Sequence, residues 1–173
     1  MRTMTRMPPA DQDHIGRLLA AARETIATVR HCWVATCAEQ GGANARAVRC
    51  FAGAPGSDEW TRRFLTRRGS RKVAGIRRDP RITLAYQDQS GNAYVALAGR
   101  AYLVEDRAEM HGLWDSSVDA TFPEGFADAN MIIVRVEVDR IEIHVRGVTA
   151  EPFGYGRTLI EREAAGRWRS VPD

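Results

Sequence analysis

Two neighbouring segments of the chain, His31 to Glu39 and Ala45 to Gly53, have the composition of β-strands. The first, HCWVATCAE, is rich in strand-forming residues. In the second, ARAVRCFAG, successive side chains fall on opposite faces of the strand. Between them lies QGGAN, whose Gly41-Gly42 pair is typical of a turn. The two segments and their turn therefore predict an antiparallel hairpin.

Further strand patterns follow this hairpin along most of the chain. The segments are EWTRRFLT (59–66), RITLAYQD (81–88), AYVALAGRAYLVED (93–106) and NMIIVRVEVDRIEIHV (130–145), the last of which is expected to divide near Asp139. Gly99 inside the fifth strand indicates a bulge or a bend, which lets a sheet of about six strands curl. Helices do not alternate strictly with these strands, so we expect a mainly β fold, a closed or partly closed antiparallel barrel with flanking helices.

Helices are predicted at four places outside these strands, one of them between the fifth strand and the long sixth strand. Residues 11–29 show apolar positions at helical spacing with Asp11 as the N-cap, a short helix begins at Ser70, and Thr158 to Ala165 predicts a C-terminal helix. A length of 173 residues suits one domain. We therefore expect a single domain, with a helical segment at about 11–29, a barrel at about 31–146 and a C-terminal helix and tail at about 155–173.

Composition argues against several classes of function. No apolar run approaches the roughly 20 residues of a membrane helix, and none follows the arginines of Met1 to Pro9, so the expectation is a cytoplasmic protein without a secretory signal. The three cysteines form no CxxC pair and the four histidines are scattered, which indicates reduced thiols and no metal site. Outside Arg62 to Arg81 the arginines are balanced by acids, so nucleic-acid binding is not expected.

The sequence FLTRRGSRKVAGIRRDP, from Phe64 to Pro80, contains Lys72, the only lysine of the chain. Ser70 is a suitable N-cap for a helix that Asp79 and Pro80 end. The free amides of a helix start and the positive end of its dipole attract anions. This turn therefore predicts an anion site.

Four cations crowd the same turn: Arg67, Arg68, Arg71 and Lys72. Each cation at a helix N-terminus costs roughly 0.3–1 kcal/mol, and a bound dianion such as a phosphate would turn that repulsion into paired contacts. A solvated arginine-rich loop is the alternative interpretation. The single lysine favours the phosphate, because a compact ammonium group suits a crowded phosphate.

The order of these motifs resembles the general stress protein 26 branch of the pyridoxamine 5′-phosphate oxidase-like family. The resemblance joins FLT, SRK and DPRITLAY to ARAVRCF upstream and to YVALAGRAYLVEDR and LWDSSVDATFPEG downstream, over Val29 to about His144. Those proteins are FMN-binding split β-barrels, usually homodimers with the flavin at the interface. The resemblance implies a six- to seven-stranded antiparallel split barrel and a homodimer for this chain.

The resemblance also implies where FMN would bind. The helix start and one arginine would hold the phosphate, the second strand would run past the isoalloxazine ring, and the end of the third strand would contact the ribityl chain or ring. The implied positions are Arg46, Ala47, Val48, Arg49, Leu65, Thr66, Ser70, Arg71, Lys72 and Tyr94. Of these, Arg49 is the candidate for stabilising the reduced ring. Trp114 or the loop Thr121 to Pro123 of one subunit would approach the other subunit's cofactor.

The chemistry implied is that of an FMN-dependent oxidoreductase acting on an unidentified small molecule, because the flavin itself carries hydride or electron transfer. No catalytic residue is identified. The stretch RIEIHVRGVTAEPFGYGR has His144 but lacks the Arg-x-His that grips the substrate in true pyridoxamine phosphate oxidases, so that activity is not expected. A non-catalytic flavin carrier or sensor, and the use of FAD, F420 or haem on the same barrel, stay open as alternatives.

Overall fold

The computed structural model describes residues 9–115, 118, 122, 124–153 and 155–172. Its helices are α1 (Pro9–Thr28), α2 (Arg71–Arg78) and α3 (Arg107–Gly112), with a short 3-10 turn at Gly125–Ala127. The strands are β1 (His31–Cys37), β2 (Ala43–Arg49), β3 (Phe51–Ala52), β4 (Arg62–Arg67), β5 (Arg81–Asp88), β6 (Ala93–Val104), β7 (Met131–Val145), β8 (Leu159–Arg162) and β9 (Trp168–Val171). Within this described part, no helix combines the length and apolar character needed to cross a bilayer.

The strands form one sheet in the order β2-β1-β5-β6-β7-β4-β3, with β8 paired to β7 and β9 to β8. The predicted hairpin is confirmed: β1 and β2 pair antiparallel, with Trp33 opposite Ala47. The pairs β1–β5, β3–β4, β4–β7, β7–β8 and β8–β9 are antiparallel as well. The mainly β, antiparallel fold class is confirmed, and the described residues place nine strands in the sheet where six or seven were predicted.

The chain divides into two compact units. The first comprises Met1–Val29, Tyr86–Leu97 and Arg140–Asp173, and the second comprises Arg30–Ala85 and Ala98–Asp139. In the first unit α1 buries Ile15 and Leu18, which gives this amphipathic helix its apolar face. The second unit contains the hairpin, β3, β4, α2 and α3, and it holds every residue of the cavity described below.

The C-terminal helix predicted at 158–165 is wrong, because this segment forms β8 and leads into β9. Leu159 and Ile160 are buried, and Ile160 lies opposite Ile141 of β7. The charged residues after them favour a helix locally, but pairing with β7 outweighs that preference. The turn before β9 uses Gly166 at a φ of 80°.

Three smaller predictions also need correction. Helix α1 begins at Pro9, so Asp11 lies in its first turn and is not the N-cap. β7 runs unbroken through Asp139. The second strand of the hairpin ends at Arg49, and the chain leaves the ladder at Cys50 before β3 begins. Cys50 therefore lies between two strands, outside the β-ladder.

Gly99 lies where β6 approaches β7 closely. A Cβ at this position would lie 1.9 Å from the carbonyl oxygen of Glu137, well inside van der Waals contact. Only glycine fits without a shift of one backbone. The glycine predicted to mark a bend is thus required by the close approach of two strands of the second unit.

Candidate functional site

A cavity of about 420 Å³ opens in the second unit among β2, the end of β4 and the start of α2. This volume falls within the range of small-molecule and cofactor pockets. Its lining residues are His31, Ala47, Val48, Arg49, Phe51, Leu65, Thr66, Arg67, Ser70, Lys72, Val118 and Phe122. Cations and hydroxyls share this lining with apolar and aromatic side chains.

The cavity brings together most of the positions that the resemblance implied. Those lining it are Ala47, Val48, Arg49, Leu65, Thr66, Ser70 and Lys72. Arg46 and Arg71 are not lining residues, but the charge of Arg46 acts on Lys72 and the charge of Arg71 acts on Arg46. Tyr94 belongs to the first unit, where its ring centroid lies 6.0 Å from that of Phe153.

The end of β4 and the start of α2 position the polar end of the cavity. Ser70 occupies the N-cap position with extended dihedrals, yet its hydroxyl makes no capping hydrogen bond. Instead Ser70 Oγ lies 3.4 Å from Thr66 Oγ1, and Lys72 Nζ donates to Thr66 Oγ1 at 2.7 Å. Val73 N already donates to Ser70 O at 3.0 Å, so helix geometry leaves the amides of Arg71 and Lys72 without acceptors inside α2. Two hydroxyls, an ammonium and a helix start therefore converge. Together with Arg46, whose charge acts on Lys72, we call them the helix end.

Electrostatics at the helix end favour an anion. Burial lowers the pKa of the Lys72 ammonium, and the neighbouring Arg46 lowers it further. Burial, followed by the charge of Arg71, likewise lowers the pKa of Arg46. The Nε atom of Arg46 is buried without a hydrogen-bond partner among the described residues. In that same part of the chain no carboxylate forms an ion pair with Lys72 or Arg46, so the desolvated charges of the helix end lack a counter-charge.

Arg49, which lines the same cavity, in contrast has a carboxylate partner. Its Nη1 donates to Asp115 Oδ1 at 2.8 Å, and its Nη2 lies 2.8 Å from Asp115 Oδ2, a two-point pairing of guanidinium and carboxylate. The guanidinium carbon also lies 4.8 Å from the centroid of the Phe51 ring. We call this region the arginine end. Asp115 was not predicted, because no local pattern links residues that are 66 positions apart.

The sequence prediction also missed His31, Phe51 and Val118 as lining residues, whereas Arg67, which lines the cavity too, is one of the four cations of the predicted anion turn. The register of the hairpin places His31, the first residue of the predicted strand, opposite Arg49, so the register of the two predicted strands would have pointed to it. Phe122, in the loop predicted to approach the other subunit's cofactor, lines the cavity of its own chain, and its ring centroid lies 6.3 Å from that of Trp114. The approach to a second subunit stays a prediction. Thr121 and Pro123, named with Phe122, lie outside the described residues.

The residues of the site suit anions better than metal ions. Within the described ranges, no three His, Cys, Asp or Glu side chains come close enough to hold a metal ion together. The donors of the helix end are hydroxyl, ammonium and amide groups, which bind phosphate or carboxylate.

Comparison with known protein families gives a decisive match at this point. The family model described as pyridoxamine 5′-phosphate oxidase like matches residues 19–146. The chain belongs to this family. The matched range contains every lining residue of the cavity as well as Arg46, Arg71 and Tyr94. No curated protein matches the chain.

Several solved structures share the fold of this chain at low sequence identity. A protein from Clostridium acetobutylicum related to general stress protein 26 of B. subtilis has a TM-score of 0.65 at 20% identity, over 75% of this chain and 89% of that one. A pyridoxamine 5′-phosphate oxidase-related, FMN binding protein from Nostoc punctiforme has a TM-score of 0.65 at 13% identity, over 98% and 100%. PhzG from Burkholderia lata, solved with tetrahydrophenazine-1-carboxylic acid, has a TM-score of 0.62 at 17% identity, over 98% of each chain.

The family match confirms the pyridoxamine 5′-phosphate oxidase-like family that the sequence motifs implied, and the solved structures confirm the split-barrel fold class. At identities of 20% and below, they establish the fold of this pyridoxamine 5′-phosphate oxidase-like protein and leave its chemistry to be argued from its own residues.

Proposed function

We propose that the cavity binds FMN, with the phosphate at the helix end and the isoalloxazine ring along β2. The observation that carries this proposal is the set of desolvated cations, Lys72 and Arg46, that have no carboxylate partner among the described residues. Membership of the pyridoxamine 5′-phosphate oxidase-like family and the fold of the FMN binding protein from Nostoc support the choice of ligand.

The donors at the helix end match a terminal phosphate. A phosphomonoester carries nearly two negative charges near neutral pH and three acceptor oxygens. Lys72 Nζ and Ser70 Oγ line the cavity, and the amides of the first turn of α2 supply further donors. The phosphate charge would stabilise the ammonium of Lys72 and reverse the lowering of its pKa.

The other lining residues suit a flat, partly polar ring. β2 stands at the end of the strand order, so one row of its backbone N–H and C=O groups has no strand partner among the described residues. Ala47 and Val48 both line the cavity. The backbone N–H and C=O groups of successive strand residues point to opposite edges, so one of these two residues can offer its groups to the edge of the ring. Phe51, Val118 and Phe122 add apolar surface for its faces.

A bound flavin supplies hydride or electron transfer, and the protein supplies binding and electrostatics. We infer a flavin-dependent oxidoreductase acting on a small molecule, in which Arg49 stabilises negative charge on the reduced ring. Asp115 offsets part of that effect and fixes the guanidinium in place. A homodimer belongs to the same proposal. Trp33, which is 54% exposed on β1, and Ala47, exposed opposite it, would then meet the second subunit.

Ligand titration of the apoprotein tests the proposal. FMN and riboflavin differ only in the phosphate, so quenching of flavin fluorescence should give an affinity for FMN that is about 10- to 100-fold higher, the worth of one or two charge-assisted hydrogen bonds. Equal affinities for FMN and riboflavin would contradict the binding of the phosphate at the helix end. A single violet band or a Soret band in the freshly purified protein would identify a deazaflavin or haem and overturn the choice of FMN.

Reduction of the holoprotein separates an oxidoreductase from a carrier or sensor. Under anaerobic conditions NADH or NADPH should bleach the flavin absorbance, and admission of air should restore it. A flavin that neither cofactor bleaches, although dithionite does, would contradict turnover with nicotinamide donors and leave flavin binding intact.

A further inference from the structure

We propose that Cys32 and Cys50 form a peroxide-sensitive thiol pair that closes to a reversible disulfide. Their sulfur atoms lie 3.2 Å apart. In the hairpin register Cys32 lies opposite Val48, and Cys50 comes two residues after Val48. Side chains two residues apart on a strand share a face, so the two thiols meet diagonally across the hairpin.

The end of β2 makes closure possible. A disulfide needs the sulfurs about 2.05 Å apart, so these must approach by roughly 1 Å. Cys50 follows the last residue of β2 and is outside the ladder, so its backbone is not held by strand pairing. The required movement therefore falls on a connecting residue and leaves the paired strands in place.

Exposure sets the order of the two steps. Cys32 is 1% exposed, whereas Cys50 is half-buried and more accessible to a small oxidant. The thiolate of Cys50 attacks one peroxide oxygen and the O–O bond breaks. The departing hydroxide takes up the proton that the thiol released on ionising, so a sulfenic acid and water result. The Cys32 sulfur then attacks the Cys50 sulfur and the S–O bond breaks, with release of a second water. The thiol pair loses two electrons, which reduce one hydrogen peroxide to two waters.

The pair adjoins the proposed flavin pocket. His31 precedes Cys32, Arg49 precedes Cys50, and both neighbours line the cavity. Drawing Cys50 towards β1 would shift the arginine end and narrow that side of the pocket. This consequence rests on the proposed function, whereas the thiol chemistry does not. We expect oxidation to weaken FMN binding about fivefold, the lower end of typical coupling between sites.

Thiol counting on the full-length apoprotein tests the pair. Hydrogen peroxide should lower the count under denaturing conditions from the three cysteines of the chain to one, and dithiothreitol should restore all three. Mass spectrometry should show the loss of two hydrogens and a peptide that links Cys32 to Cys50. Cys37→Ser is the matched control, because Cys37 lies five positions from Cys32 on β1 and therefore on its opposite face. This variant should still form the link.

Cys50→Ser changes the half-buried member and leaves the buried one in place. It should form no intramolecular disulfide and should keep both remaining thiols under the same treatment. The proposal is overturned if peroxide leaves all thiols of the wild type intact. It is equally overturned if oxidation adds oxygen to Cys50 without a link, or if the linked peptide contains Cys37.

Flavin titration of the oxidised and reduced forms then tests the coupling alone. The wild type should lose about fivefold in FMN affinity on oxidation, and Cys50→Ser should show no loss. A Cys32–Cys50 disulfide with unchanged FMN affinity would contradict the coupling and leave the thiol site supported. A Cys32–Cys50 disulfide in a chain that binds no flavin would contradict the proposed function and also leave the thiol site supported.

Discussion

The two ends of the cavity contain the same kind of charge in opposite circumstances. At the arginine end, Arg49 meets Asp115 through two contacts of 2.8 Å and retains 30% of its side-chain exposure. At the helix end, burial lowers the pKa of Lys72 and of Arg46, and no carboxylate among the described residues offsets their charges. Counting cations along the sequence would treat these groups alike.

In the proposed FMN site, this difference in counter-charge gives the two ends different roles: the helix end anchors the ligand, and the arginine end tunes the potential of the flavin ring. A cation without a counter-charge gains most from an incoming anion, because the ligand replaces lost hydration. A cation already paired gains less, since its field is partly cancelled at a distance. We therefore assign binding energy to the helix end and adjustment of the reduced ring to the arginine end, as parts of the proposed FMN site.

Replacing the lysine should produce the largest effect. Lys72→Met should weaken FMN binding about 10- to 100-fold and leave riboflavin binding unchanged, because only FMN carries the phosphate. Fluorescence titration of the apoprotein measures both. Arg77→Met, an exposed cation in the last turn of the same helix, is the matched control and should bind FMN like the wild type. Equal losses in the two variants would indicate a general charge effect instead of a contact.

The pH dependence of binding should show an intermediate effect. Because the pKa of Lys72 lies below its ordinary value of 10.5, FMN affinity should begin to fall at a pH lower than for an unperturbed lysine. For the apoprotein, the contribution of Lys72 to stability changes with pH in the opposite direction. Between the lowered pKa and 10.5 the unfolded chain binds more protons at Lys72, so the contribution of this residue to the free energy of unfolding rises with pH.

Lys72→Arg provides the comparison for that profile, because arginine keeps its proton throughout the range. Its FMN affinity should lose the alkaline fall that the wild type shows. The same fall in both proteins would assign the titration to another group, such as the flavin ring itself.

The arginine end should give the smallest effects, and of opposite sign. Arg49→Met should lower the midpoint potential of the bound flavin, and Asp115→Asn should raise it by freeing the guanidinium charge, each by about 10–30 mV or roughly 0.5–1.4 kcal/mol. Spectroelectrochemical titration of the holoproteins measures both shifts. Shifts of the same sign, or none, would contradict the division between anchoring and tuning.

Local signals in the sequence were sufficient for much of the fold. β5 occupies 81–88 as predicted, and α2 begins after Ser70 and ends before Asp79 and Pro80, because turn residues and a proline mark those boundaries. The C-terminal strands escaped prediction, since β8 exists through its pairing with β7. Strand pairing across such a distance leaves no periodic signal in a short, charged segment.

The candidate site divides in the same way. Thr66, Ser70 and Lys72 lie within seven consecutive positions, so the local sequence of this one turn was sufficient to predict that they lie together. Asp115 and the contact between Cys32 and Cys50 depend on how distant segments are placed. A hairpin register can suggest the cysteine contact, but no local pattern points to the carboxylate.

The tight crossing at Gly99 has a practical consequence for such experiments. In a saturation library, position 99 should accept glycine alone, because even alanine would collide with Glu137. Variants there should vanish from the pool of folded molecules whether or not flavin is supplied. Position 99 thus serves as an internal reference for loss of folding. Substitutions elsewhere that stay in the folded pool but lose the flavin colour affect the pocket. Substitutions that are depleted as severely as those at position 99 affect folding.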